Sequence, residues 1–105
     1  MADHNIHEGA DEIIDLEEYA KAERRPPQAR RYRIRIDKQY FVVSVSSMTG
    51  RELLNLAGKT PATNYMISQK LRNGEARRIG LDEKADFTTP GVERFMTLPL
   101  DQTEG

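Results

Sequence analysis

Few residues in this chain could do chemistry, and most of them lie near its ends. There is no cysteine, which removes disulfides, thiolate metal sites and a thiol nucleophile. His4 and His7 stand three apart beside Asp3, Glu8 and Asp11. Such a set could hold a metal ion weakly, but a solvated acidic segment is the plainer expectation and no metal is assigned to it. Arg31, Arg33 and Arg35 alternate along one stretch, with Arg24, Arg25 and Arg30 just before them. They could meet phosphates. No aromatic platform is interleaved with them on the same face, so base stacking has no support. A solvated face is expected, or pairing with the acidic N-terminal segment of this or another copy, and no nucleic-acid partner. Ser44, Ser46 and Ser47 have no histidine near them and read as strand and turn residues. No glycine-rich phosphate loop is present, so the chain is expected to bind no nucleotide or other cofactor and not to be an enzyme. What remains is the last stretch, "TLPLDQTEG", Thr97 to Gly105. Its apolar alternation gives way to Asp101, Gln102, Thr103 and Glu104, and then to a glycine carboxylate. Glycine presents its carbonyl with no Cβ in the way and tolerates unusual backbone angles. A tail of about five residues spans on the order of 17 Å, enough to carry that carbonyl into a narrow site on another protein.

The elements that position such a tail can be read from charge and periodicity. Formal net charge is −1, but it is segregated. Residues 1–18 hold seven acids and no Lys or Arg, whereas residues 19–38 hold eight bases and two acids. Blocks of this kind usually mark tails and solvated faces. Three parts are expected: an N-terminal arm over 1–29, partly helical or disordered, a body over 30–100, and a tail over 101–105. In the arm, Ile13, Leu16 and Ala20 fall at helical spacing within Asp11 to Arg24, acids precede bases, and Pro26-Pro27 ends the pattern. The narrow apolar face of that helix would be marginal alone in water. Either the arm frays, or Ile13, Ile14, Leu16 and Tyr19 dock on a partner or on another copy of the chain.

The body opens on "RYRIRID", where Tyr32, Ile34 and Ile36 share one face and the three arginines the other, the period of a half-buried strand. After the turn Asp37-Lys38, "QYFVVSVS" from Gln39 to Ser46 is rich in β-branched and aromatic residues, and the two runs read as a hairpin. Phe41, Val43 and Val45 are expected on one face. Thr49 with Glu52 forms a capping box for a helix over about 50–57, and Gly58 stands where a left-handed C-terminal cap belongs. A strand over about 64–71 reaches Asn73-Gly74, a hairpin pair, and a shorter strand returns over about 76–81. "DEKADFTTPGVE" is expected as a loop, and "RFMTLPL", Arg94 to Leu100, as the last strand. A helix between two hairpins must cover the apolar face of their sheet. A final strand entering after a long connection can lie beside the first and parallel to it. The expected fold class is therefore α+β: a β-grasp, with a mixed sheet of four to five strands and one helix packed across it.

The local motifs are more specific. "YRIRID" at 32–37, "TGRELLNLAG" at 49–58, "LRNGEARRIGLDEKADFTTPGVERFMTLP" at 71–99 and the closing "DQTEG" resemble the prokaryotic multiubiquitin family of bacterial ubiquitin-like protein modifiers. The resemblance covers about residues 31–105. The body occurs once, so this is expected to be a single-unit member. The resemblance implies a protein whose C-terminal glycine, Gly105, becomes an acyl-adenylate and then a thioester on a cognate activating enzyme, before passing through a conjugating enzyme to an amine or hydroxyl of a target protein. The implied partners are ubiquitin-activating-like and ubiquitin-conjugating-like enzymes, a JAB-type metalloprotease and the target proteins. The tail ends Glu-Gly, not on two glycines as ubiquitin does, and this implies a dedicated enzyme set that recognises Asp101, Gln102, Thr103 and Glu104. Ubiquitin-like folds recruit partners through the exposed side of the sheet, which makes Met66, Ser68, Met96 and Leu98 the candidates for a docking surface. Periodicity alone leaves open whether Met66 and Leu98 lie there or in the core. Two further readings stay open: a non-covalent β-grasp assembly module, and a sulfur carrier using the same tail as a thiocarboxylate. No apolar run is long enough to span a bilayer, and a cytoplasmic location is expected.

Overall fold

A computed structural model describes residues 12–100. Among these residues eight strands and two short α-helices build an α+β architecture around a mixed sheet of six strands. Four to five strands and one helix were expected, and the architecture is otherwise compatible with the expected β-grasp. The elements are β1 (Ile13–Asp15), α1 (Leu16–Lys21), β2 (Arg31–Ile36), β3 (Gln39–Val43), β4 (Ser47–Thr49), α2 (Gly50–Leu56), β5 (Tyr65–Leu71), β6 (Ala76–Ile79), β7 (Lys84–Asp86) and β8 (Val92–Pro99). Six strands form the main sheet in the order β1-β2-β8-β5-β6, with β3 paired to β2. β4 and β7 form a separate two-stranded sheet.

The alternation in "RYRIRI" is realised directly, with Tyr32, Ile34 and Ile36 buried and the arginines between them partly exposed. β3 returns antiparallel from a two-residue turn, pairing Ile36 with Gln39 and Tyr32 with Val43. The last strand, β8, does enter beside β2, the strand that opens the expected body, and parallel to it, with Ile36 opposite Phe95. Phe41 and Val43 pack against the core from β3. Val45 was expected with them, but it lies beyond the strand and is exposed.

α2 is capped as its sequence dictates. Thr49 Oγ1 accepts from Glu52 N at 3.1 Å, and Glu52 Oε1 accepts from Thr49 N at 2.8 Å. Leu53 and Leu54 are fully buried beneath the sheet. Gly58 holds φ +77° and ends the helix. The N-terminus of α2 is fastened to the turn after β6 by backbone bonds, Gly50 N to Glu83 O at 3.0 Å and Arg51 N to Leu81 O at 2.9 Å. At Asn73-Gly74 the glycine takes φ +97°, and Asn73 Oδ1 accepts from Glu75 N at 2.9 Å.

Three further expectations change. The helix expected over Asp11 to Arg24 is confined to Leu16–Lys21, and the residues before it form β1 instead. Asp15 decides the switch: its carboxylate accepts from Glu17 N and Glu18 N, which makes it an N-cap. Residues 12–29, expected as an arm apart from the body, are built into it. Ile14 and Leu16 are 1% and 3% exposed and belong to the same core as Tyr32 and Phe95. The stretch expected as a loop contains β7, whose pairing with β4 delivers Phe87 into the core. There the Phe87 ring stands between those of Tyr32 and Phe95, at 5.6 and 6.3 Å.

Candidate functional site

The register of β5 against β8 resolves the parity that the sequence left open. Ile67 and Gln69 are buried on one face of β5, with Phe95 beside them from β8. Met66 stands opposite Leu98, and Ser68 opposite Met96, on the other face. The four candidate docking residues thus form one contiguous patch on the outer side of the sheet. Leu98 is 60% exposed, and the other three are half-buried. The next pair along, Lys70 opposite Arg94, gives the patch a cationic border, with Lys70 Nζ 3.7 Å from a Glu93 carboxylate oxygen.

The arginine stripe occupies the same outer face on β2, and the N-terminal acids neutralise it. Arg33 pairs with Asp15 at 2.9 Å and Arg35 with Glu17 at 3.1 Å. Tyr40 donates its hydroxyl to Glu17 Oε1 at 2.7 Å, while the Arg33 guanidinium lies 4.1 Å from the Tyr40 ring centroid. Partial burial raises the Glu17 carboxyl, but the Tyr40 hydroxyl, Lys21 and Arg35 together outweigh that and hold it below its ordinary value. The same hydrogen bond raises the Tyr40 hydroxyl above its ordinary value. Pairing with the acidic segment of this chain is therefore the use of Arg33 and Arg35.

The residues expected to dock the arm on a partner are largely spent inside this molecule. Ile14 pairs with Tyr32 and faces the core, and Leu16 follows it there. Tyr19 packs against the core edge with the Arg24 guanidinium 5.1 Å from its ring centroid, and Ile13 is 41% exposed. Parallel pairing of β1 with β2 is the cause: it turns alternate residues to the core, which a helix over the same stretch would not have done.

The expected conjugation residue Gly105 and the tail residues Asp101, Gln102, Thr103 and Glu104 lie outside the described residues, as do His4 and His7. The chain reaches them from a fixed root. β8 ends at Pro99, and Leu100 N donates to Asn64 O at 2.8 Å. Beside that root, Ile36, Lys38, Lys59, Thr97 and Pro99 line a groove of about 560 Å³. Asp37 buttresses it, accepting from Thr97 N at 2.9 Å and Thr97 Oγ1 at 2.6 Å. The turn signal at Asp37 is local, but its partner is 60 residues away, so no pattern in the sequence exposed this contact. Among the described residues no cluster of three or more His, Asp or Glu could hold a metal ion, and no helix is long and apolar enough to cross a membrane.

With this geometry in view, comparison with known families is decisive over most of the body. A family model described as Multiubiquitin matches residues 32–99. The chain belongs to the multiubiquitin family. The matched stretch runs from β2 to the end of β8 and includes the whole outer patch, while β1 and α1 lie outside it. No curated protein and no solved structure matches the chain.

Proposed function

We propose that this multiubiquitin-family protein is a ubiquitin-like modifier with a β-grasp body, joined to target proteins through the acyl group of Gly105. The observation that carries the reading is the family match over residues 32–99. The position of the outer patch supports it. Leu98 is the most exposed large apolar side chain among the described residues, and it lies in the strand that leads into the tail. An enzyme seated on Met66, Ser68, Met96 and Leu98 therefore meets the body and the root of the tail together.

The chemistry follows from what the chain holds. A carboxylate is a poor electrophile, and this protein has no thiol of its own. Under this reading the activating enzyme supplies nucleotide, metal and cysteine, and forms first an acyl-adenylate with release of pyrophosphate. Its thiolate then displaces AMP to give the thioester. This chain supplies the unobstructed glycyl carbonyl and the docking patch, and a conjugating enzyme carries the acyl group to an amine of the target, giving an isopeptide bond.

The test mixes the protein with a cognate activating enzyme and ATP, and follows a thiol-sensitive band together with ATP–pyrophosphate exchange. Gly105→Asp should abolish the band. Leu98→Glu, at an exposed position, should leave thermal stability unchanged and raise KM for the protein about tenfold, the size of a modest interface contact. Unchanged adenylation by Gly105→Asp would remove the reading.

A further inference from the structure

Two edge strands of the sheet, β6 and β3, are treated very differently. β6 is four residues long and carries Arg77 and Arg78. Charges on a short strand are the usual protection of an edge against pairing with another chain. β3 pairs with β2 alone, and among the described residues nothing hydrogen-bonds to its other side. No charged residue occurs from Gln39 to Ser47, and no proline. Five large apolar side chains are exposed among the described residues, and three of them, Tyr40 at 42%, Val42 at 52% and Val45 at 49%, belong to this strand and its continuation.

The backbone faces outward at the same residues. Asp37 N donates to Phe95 O at 2.8 Å, so the residues flanking Ile36 address β8 while Ile36 itself addresses β3, opposite Gln39. Alternation along an antiparallel pair then points the N–H and C=O groups of Tyr40 and Val42 away from β2, toward the open edge.

We propose that this edge pairs antiparallel with β3 of a second copy of the chain, on a two-fold axis at Phe41. In that register Tyr40 exchanges backbone hydrogen bonds with Val42 of the second copy, and Val42 with its Tyr40. Each contact is an aromatic against a β-branched side chain on the outer face, a favourable cross-strand pair. Lys38 falls opposite Ser44 of the second copy, so no like charges meet. The two-fold register sets each exposed side chain of the strand against a complementary one, Tyr40 against Val42, and this self-complementarity is the ground for a second copy as the occupant. A five-residue edge is about 17 Å long, short of the roughly 800 Å² per partner of a stable interface. The dimer is consequently weak, with dissociation on the order of 100 μM.

The experiment is sedimentation velocity on the full chain from about 5 μM to about 1 mM, with amide exchange measured at both ends of the range. The wild type should pass from monomer to dimer. Exchange at Tyr40 and Val42 should slow as concentration rises, while Phe41, already bonded to β2, should not change. Val42→Glu sets a carboxylate beside Arg33 of its own sheet, so its melting temperature should stay near wild type while it remains monomeric. Leu98→Glu should dimerise like the wild type. A wild type still monomeric at the top of the range, or Val42→Glu dimerising unimpaired, would overturn the proposal. So would Tyr40 and Val42 amides that gain protection only when a foreign extended peptide is added, which would assign the edge to a partner's strand.

Discussion

Replacing Ile14 with alanine tests whether the N-terminal segment is part of the folded body. Ile14 is 1% exposed and packs in the core beside Tyr32. The change removes three carbons, worth roughly 0.8 kcal/mol each on transfer, so about 2.4 kcal/mol before any cavity cost. Buried Ile-to-Ala changes run about 2–5 kcal/mol. β1 is short, so its surroundings can close partly over the gap, and about 2–3 kcal/mol is the expected loss. Against a typical domain stability of about 5–15 kcal/mol that is a large fraction. The assay is urea unfolding followed by circular dichroism, with Ile13→Ala as the matched control. Ile13 is 41% exposed and one residue away, so its truncation should cost under about 0.5 kcal/mol. Should the two variants lose the same small amount, β1 is not packed as described and the reasoning from burial fails.

Gly50→Ala should cost about 1–3 kcal/mol in the same assay, because a Cβ there would overlap the Gly80 carbonyl oxygen and crowd Ile67, and the obstacle is backbone. The Glu17–Tyr40 pair gives stability a dependence on pH at both ends. The Glu17 carboxyl is held below its ordinary value of 4.5, so its contribution is present above that value and lost as pH falls through the lower, folded one. The Tyr40 hydroxyl is raised above its ordinary value of 10.0, so its contribution is present below that value and lost as pH rises through the folded one. In a pH series of melting temperatures, Glu17→Gln should flatten the acid limb, and Tyr40→Phe the alkaline limb. An acid limb unchanged in Glu17→Gln would show that the link contributes nothing.

Much of the body was legible locally. The Thr49–Glu52 box and Asn73-Gly74 satisfy backbone groups within a few residues, and period-two alternation in "RYRIRI" assigns the faces of its strand, so these features are written where they stand. The outer patch was half legible. Met66, Ser68, Met96 and Leu98 could be named, but a one-residue change of register would exchange them with Ile67 and Phe95. The N-terminal stretch misled, because "DEIIDLEEYAKAER" carries a helical period throughout, and only pairing with β2 makes Ile13–Asp15 a strand.

The amino-acid sequence by itself determined that a helix and hairpins share one apolar face, and that the chain carries no thiol, because propensity, capping and composition act over short range. Tertiary structure alone decided three things: that β1 and α1 complete the body and neutralise Arg33 and Arg35, that β7 carries Phe87 into the core, and that β3 has no second partner strand among the described residues. Each depends on which strand becomes whose neighbour. That choice is made by burial summed over the whole core, and no local pattern records it.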